Sequence, residues 1–539
     1  MLAGLEIHQR LEERKLFCEC AGEGRRKFRF RRHLRAVRGI GGRADRAAVF
    51  ESQRYRLFEY EGSERICLVE MDEEPPHPPS ESALKKALAI GIHFNYELFD
   101  ETVVMRKIVV DGSDTTGFQR TMLLGIDGRI GDVGLQTLCL EEESAGILAP
   151  NLFDLHRLSI PLVELATEPM EEKPERIKEI ALFIGREMRK LGVLRGLGTI
   201  RQDLNVSIEG GARVEIKGVQ TPDLIPKVIE IETNRQRALI EISEQLKERG
   251  ATVGEIIKTP KLFKSNPVYL MRLDGFSDLL GQEVAPGRRF GTEISDYAKA
   301  MGAGGIMHSD ERDFLGLSEI ARADSWIAVA HPRGREILER LRGRLLYFGV
   351  PEETRRALPN GNTAFMRPLP GRARMYPETD LIPVRVCNHL DAARRYREER
   401  LARWRYLDGL PEADAMERAG HADLYVELRR EGLSPKEALS LAHKIPRTLA
   451  SKGIHLTSTE MKWLVKQYKE GRLTLKGLEA FAERFNVYDY EAFRRISGNA
   501  LRALVKEMGK DVFKQYRLRV DAQEVFNYIN EIGKNDENH

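Results

Sequence analysis

Four short stretches of this chain read as strands with one apolar face and one face crowded with ionisable groups. They are Gly4-Leu-Glu-Ile-His8, Pro161-Leu-Val-Glu-Leu165, Arg201-Gln-Asp-Leu-Asn-Val-Ser207 and Val214-Glu-Ile-Lys217. Side chains alternate across a strand, so residues two apart share a face. Glu6 therefore sits beside His8, with Leu5 and Ile7 turned away. Asp203, Asn205 and Ser207 oppose Leu204, Val206 and Ile208, and Glu215 and Lys217 oppose Val214 and Ile216. Glu164 interrupts the apolar run Pro161 to Ala166, and a buried carboxylate is costly unless paired or metal-bound. A sheet built from such strands packs one face and can bind a metal and phosphates with the other.

At 539 residues the chain is too long for one core and should divide into three or four domains. Its 42% hydrophobic and 31% charged residues fit a globular protein with an ion-rich surface. No apolar run approaches the roughly 18 residues that span a membrane, so no membrane partner is expected. Glu6 and His8 fall where a signal peptide would be apolar, which points to the cytoplasm. Cys18, Cys20, Cys67, Cys139 and Cys387 are too few and scattered for a disulfide framework. Cys18-x-Cys20 has no second pair at zinc spacing, so these read as reduced structural thiols.

Net charge is only +3, yet the basic residues cluster. Arg25, Arg26, Lys27, Arg29, Arg31, Arg32, Arg35 and Arg38 form a run without acidic residues, interleaved with Phe28 and Phe30. A second basic zone covers 491–520. Such zones suit a phosphate backbone with unstacked bases, or equally an ion-paired surface.

Residues 1 to about 260 mix short strands with helices, one helix running from Pro174 to Gly192. Beyond about 388 only helices are expected. Ser434-Pro-Lys-Glu437 combines an N-cap, a first-turn Pro and a capping-box Glu, and Pro446 should stop that helix. Thr457 with Glu460 should open another, which Gly471 closes. The segment 262–350 differs in character, and the style of the first part returns from Asn360 to Asp380, so 262–350 reads as an insertion. The Gly302–Gly305 cluster reads as a helix stop.

Glu141, Glu142 and Glu143, with Glu164, Glu6 and His8, could supply oxygens and a nitrogen to Mg²⁺ or Mn²⁺; an exposed acidic turn is the plainer alternative. Arg106, Lys107, Asp111, Gln119 and Arg120 could clamp phosphates, or form an ordinary ion-paired surface loop. No G-x-x-x-x-G-K-[ST] loop, strand-borne G-x-G-x-x-G or kinase signature occurs. No Ser-His-Asp or Cys-His arrangement for hydrolysing an amide stands out. Any ATP chemistry must therefore use a different site.

The motifs GLEIH from Gly4, KLFC from Lys15, LVEMDEEPPH from Leu68, MRKIVVDGS from Met105, GFQRT from Gly117, GLGTIRQDLNVS from Gly196 and VEIKGVQ from Val214 together resemble the B/E family of tRNA-dependent amidotransferases. PGRRFGTEISDYAK from Pro286 and RMYPETD from Arg374 resemble its archaeal, glutamyl-tRNA(Gln)-specific E branch. The resemblance implies an α+β fold. A mainly antiparallel-sheet cradle, 1–261 and 351–387, carries an inserted aspartyl-tRNA synthetase-like α+β domain at 262–350. An all-α helical domain at 388–475 and a tRNA-binding tail at 476–539 follow.

The resemblance also implies the reaction. The γ-carboxylate of tRNA(Gln)-bound glutamate is phosphorylated by ATP and amidated with ammonia. The ammonia comes from an asparaginase-like amidase, the D component of an expected D2E2 heterotetramer. By the same resemblance Glu6, His8, Glu142 and Glu164 are catalytic, and His8, Glu142 and Glu164 hold Mg²⁺, with Mn²⁺ an alternative. Arg106, Lys107, Asp203, Asn205, Glu215 and Lys217 face the nucleotide, and Lys506, Lys510, Lys514 and Arg517 face tRNA. Departures are Leu140-Glu-Glu-Glu143 where Leu-Glu-Glu-Asp is usual, the expected lack of the short lead that usually precedes the Gly4-Leu-Glu-Ile-His8 motif, a shortened insertion after Asp310 and a loosely similar tail. A tRNA-binding scaffold without catalysis and an aminoacyl-tRNA synthetase are the competing readings. The second lacks a recognisable class II core.

Overall fold

The computed structural model describes residues 1–18, 20, 27–39, 41–53, 56–196, 198–313, 315–451, 458–484 and 494–536. They form two compact units, Met1–Arg400 and Leu401–His539.

The first unit is mixed α and β and is dominated by one antiparallel-rich sheet. Its strands run in the order Thr363–Pro368, Glu353–Ala357, Val214–Lys217, Ile200–Ser207, Leu2–Arg10, Pro161–Thr167, Val133–Glu142, Phe118–Ile130, Val104–Ile108 and Met375–Pro377, with Glu97–Leu98 beside Phe118–Ile130. Only the Val214–Lys217 and Glu353–Ala357 neighbours are parallel. The four stretches singled out above are thus four consecutive strands at the centre. Register sets His8 opposite Glu164 on one side and Glu6 opposite Asp203 on the other.

Alternation divides the faces. Leu5, Ile7, Val163, Leu165, Leu204, Val206, Val214 and Ile216 are fully buried on one side. Helices Glu81–His93, Pro174–Arg189 and Ile225–Glu248 supply further apolar side chains to the interior, among them Leu84, Leu88, Ile177, Ile184, Met188, Val228 and Leu239. The Pro174 helix begins on its proline as expected and is over by Gly192, whose φ of +79° requires glycine.

The basic strand Lys27–His33 belongs to a second, four-stranded sheet. Its neighbour Leu57–Ser63 places Glu59 and Glu61 against Lys27, Arg29 and Arg31, with ion pairs of 2.7 to 3.2 Å. Phe28 and Phe30 pack on the buried Tyr60 and Phe153. This part of the run is an ion-paired surface, and Arg25 and Arg26 lie outside the described residues. A third sheet orders Thr252–Phe263, Asn266–Asp274, Ser325–Ala330 and Met307–His308, with helices Phe290–Ala300 and Gly334–Leu345 in the same stretch. Its first strand starts at Thr252, ahead of position 262. The helix Phe290–Ala300 ends just before Gly302, at φ +97°.

The second unit is helical throughout its described residues, with one core around Leu407, Met416, Tyr425, Leu449 and Leu478 and another around Leu501, Val505, Val512 and Val525. Ser434 and Glu437 form the expected capping box. Pro446 does not stop the helix. Ser440–Lys444 widens into a π turn and the chain continues as helix Ile445–Ser451. The wider turn accommodates a ring that an α-helical turn would exclude. Gly471 follows helix Ser458–Lys469 as expected, and Thr457 lies outside the described residues. Among the described residues no helix is long and apolar enough to cross a membrane.

Candidate active site

The ionisable face of the central sheet is a continuous chain of opposite charges. Lys217 Nζ lies 2.7 Å from Asp203 Oδ2 and 2.5 Å from Glu215 Oε1. Thr354 Oγ1 donates to Glu215 Oε2 at 2.8 Å, and Asn205 Nδ2 donates to Glu6 Oε1 at 2.8 Å. On the other side Lys107 Nζ donates to Glu141 Oε1 at 2.6 Å and to Glu164 Oε2 at 3.3 Å. His8 joins the halves: Nδ1 is 3.5 Å from Glu164 Oε2 and Nε2 is 3.7 Å from Asp203 Oδ2.

Burial opposes charge on Glu164, but Lys107 and His8 outweigh it and hold the carboxyl well below its ordinary range. Asp203 is likewise held low by Lys217 and His8 against its burial. Glu6 and Glu141 move the other way, pushed up by burial and by Glu164. Burial works against a charged His8, yet Glu164 and Asp203 raise it.

The sign of the linkage follows for Asp203. Its folded value lies below the ordinary aspartate value of about 3.9, so its stabilisation is complete above that pH and is lost as pH falls through it. Asp203→Asn is therefore expected to flatten the acid limb of stability against pH between about pH 5 and 2. Urea unfolding at a series of pH values measures this, and an unchanged limb would contradict it.

Five carboxylates, Glu6, Glu141, Glu164, Asp203 and Glu215, face two ammonium groups and one imidazole. Gathered carboxylate oxygens beside an imidazole suit a divalent cation. One ligand atom each from His8, Glu141 and Glu164 lies within 4.8 Å of the others, and the same holds for Glu6, His8 and Asp203. The buried His8 Nδ1 has no hydrogen-bond partner among the described residues, leaving a ligand atom available. The donor set of carboxylate oxygens and one imidazole fits Mg²⁺ or Mn²⁺.

Two expected members are placed elsewhere. Glu142 shares the reverse face with Leu138 and Leu140, where its carboxylate accepts the Arg120 amide at 2.8 Å and the Ser159 hydroxyl at 3.0 Å. Glu141 occupies the position beside Glu164 instead. Arg106, adjacent to Lys107, also points to the reverse face, pairing with Glu378 and with Asp380 at 3.2 Å. Arg367 and Arg374, not selected from the sequence, bring their charge close enough to act on Lys217, Glu215 and Glu141. RMYPETD carried the only signal for Arg374.

Cys18, Cys20, Cys67 and Glu70 form another gathered group, with ligand atoms within 4.8 Å. The cysteines are free, but they are not scattered. A hydrogen bond from the Cys18 thiol brings Cys67 down to about 6 despite its burial. Glu70 is held by Lys15 at 2.5 Å and by the Cys67 amide at 3.1 Å. Spacing missed this group because its second half is Cys67-x-x-Glu70.

In the helical unit Lys514 and Arg517 line a cleft of about 840 Å³ together with Lys436, Lys476 and Phe513. Lys506 and Lys510 do not line it.

A family profile described as the GatB/GatE catalytic domain matches residues 1–391. The E component of the glutamyl-tRNA(Gln) amidotransferase of Pyrobaculum neutrophilum is 37% identical, with 98% of both chains covered. The protein of the same name from Archaeoglobus fulgidus is 42% identical over 85% of this chain and 81% of its own. That from Methanospirillum hungatei is 46% identical over 72% and 68%.

Proposed function

The chain belongs to the GatB/GatE family, and on that premise we propose that it is the component of a glutamyl-tRNA(Gln) amidotransferase that converts Glu-tRNA(Gln) to Gln-tRNA(Gln) at the ionisable sheet face. The observation that carries this reading is the alignment of His8, Glu141 and Glu164 with Lys107 on one side, and Asp203, Glu215 and Lys217 on the other. A carboxylate has no adequate leaving group, so ammonia cannot displace its oxygen directly. An oxygen of the tRNA-bound γ-carboxylate attacks the γ-phosphorus of ATP, the bond to ADP breaks, and an acyl phosphate forms. Ammonia then attacks the acyl carbon, and the C–O bond breaks to release phosphate.

His8, Glu141 and Glu164 would hold Mg²⁺, or Mn²⁺, which neutralises phosphate charge when bound. Lys217 and Lys107 offset the charge developing on the transferred group, and Asp203, Glu215 and Asn205 orient Lys217 and Glu6. Phosphoryl transfer depends on such positioning and electrostatics. Glu6, made more basic by burial and by Glu164, is placed to take the proton that the attacking ammonia gives up. Ammonia is supplied by an asparaginase-like amidase, the D component of a cytoplasmic D2E2 assembly. The stretch near 262–350 corresponds to the aspartyl-tRNA synthetase-like insertion.

Reconstitution with the amidase, ATP, glutamine and Glu-tRNA(Gln) should yield Gln-tRNA(Gln) only when ATP is present. Product without ATP, or no product, would contradict the proposal.

The basic cleft is assigned to tRNA. Lys514→Glu with Arg517→Glu is expected to weaken tRNA binding and lower the slope of log affinity against log salt by about 1 to 2. Lys506→Glu with Lys510→Glu, outside the cleft, is expected to act less. Filter binding at several salt concentrations measures both, and the reverse order would contradict the assignment.

A further inference from the structure

On the reverse side of the Glu353–Ala357 strand the first unit contains a cavity of about 330 Å³. Phe50, Tyr297, Leu341 and Phe365 wall it, with the Tyr297 and Phe365 rings stacked at 3.8 Å, and half-exposed Tyr347 stands at its mouth. The remaining feature is Arg344. It lines this apolar space with only 8% of its surface exposed, and its Nε and Nη2 have no hydrogen-bond partner among the described residues. Its Nη1 donates to the Tyr347 carbonyl at 3.4 Å. Its guanidinium carbon lies 5.8 and 5.7 Å from the ring centroids of Phe290 and Tyr297, contacts that leave the Nε and Nη2 hydrogens unmet.

No carboxylate among the described residues pairs with Arg344. Glu353, which also lines the cavity, is committed to Arg235, Arg355 and Tyr297. At the rim Arg340 is held by Glu336, and Glu352 by Arg46. A buried guanidinium with unmet donors is costly, and two free N–H groups on a planar fork match the two oxygens of a carboxylate. The volume suits a small ligand.

We propose that this cavity binds a small aromatic carboxylate, with the acid on Arg344 and the ring among Tyr297, Phe365 and Leu341. A nucleotide fits less well, because the Tyr297 hydroxyl is committed to Glu353 and leaves little to hydrogen-bond a base. The assignment is independent of the reaction at the ionisable face.

Calorimetric titration of the full chain with indole-3-acetate tests it, with indole and AMP as comparison probes. Indole-3-acetate is expected to bind one to one, and Arg344→Met to weaken it about 10- to 100-fold. Gly343→Leu keeps Arg344 and places its Cβ where nothing lies within 4 Å. It is expected to obstruct the cavity without lowering the unfolding temperature. The proposal is overturned if wild type fails to bind, if both variants bind unchanged, if indole binds as well as its acid, or if AMP binds more tightly.

Discussion

Glu141→Gln is expected to lower glutaminyl-tRNA formation by about 10²- to 10³-fold, the scale on which one preorganised electrostatic group contributes to a transition state. Glu142→Gln, one residue further on, is expected to leave turnover per folded molecule near wild type. The difference comes from strand parity. Glu141 turns to the ionisable face, where Lys107 and Gln119 hold it at 2.6 and 3.2 Å beside Glu164. Glu142 turns to the buried side, where it receives the Arg120 amide and the Ser159 hydroxyl. The first variant removes a charge from the candidate cation group and should also raise the metal concentration needed for half-maximal rate. The second trades a carboxylate oxygen for an amide beside two donors, so its effect belongs to stability. Steady-state rates at saturating tRNA, normalised to folded protein, distinguish them. Equal loss in both variants would contradict the placement.

Glu293→Ala is expected to destabilise the first unit by about 3 to 5 kcal/mol, the cost of removing one partner from a buried ion cluster. Glu293 is fully buried and receives Arg235 Nε at 3.0 Å and Arg355 Nη2 at 2.9 Å. Arg288 Nη2 lies 3.6 Å from Glu293, and Glu232 and Glu353 belong to the same cluster, with Arg235 at 2.8 Å from each. The variant leaves the guanidinium groups of Arg235, Arg355 and Arg288 to share the remaining carboxylates in a buried setting. A cost is also expected on the ionisable face. Arg355 lies on the same strand as Thr354, whose hydroxyl donates to Glu215. Chemical denaturation of wild type and variant measures the loss, and a change below about 1 kcal/mol, the worth of a surface pair, would contradict it.

The strand faces could be read from the sequence because alternation is a local property of a strand. Their order could not. Leu2–Arg10 lies between Pro161–Thr167 and Ile200–Ser207, neighbours drawn from more than 150 residues away. Parity within a strand was also readable, and it separates Glu141 from Glu142. Leu138 and Leu140 mark the buried face, so Glu142 follows them inward and Glu141 faces the site. The same rule separates Arg106 from Lys107.

The basic strand left a nucleic-acid surface and an ion-paired one equally open, because Glu59 and Glu61, about 30 residues away, become its neighbours only through pairing. Pro446 misled because proline ends an α-helical turn, whereas a π turn admits it. Arg367 and Arg374 carried no periodic signal, since short strands and turns bring them in from the far end of the unit.

The central claim is that the tRNA-bound glutamate is phosphorylated on this sheet face. ADP release from ATP with Glu-tRNA(Gln), in the absence of any ammonia source, tests it most directly when measured for wild type, Glu164→Gln and Lys217→Ala at equal tRNA occupancy. The prediction is ADP release that requires Glu-tRNA(Gln) in wild type and falls at least about 100-fold in both variants while tRNA affinity is kept. Wild-type rates in either variant would contradict the claim.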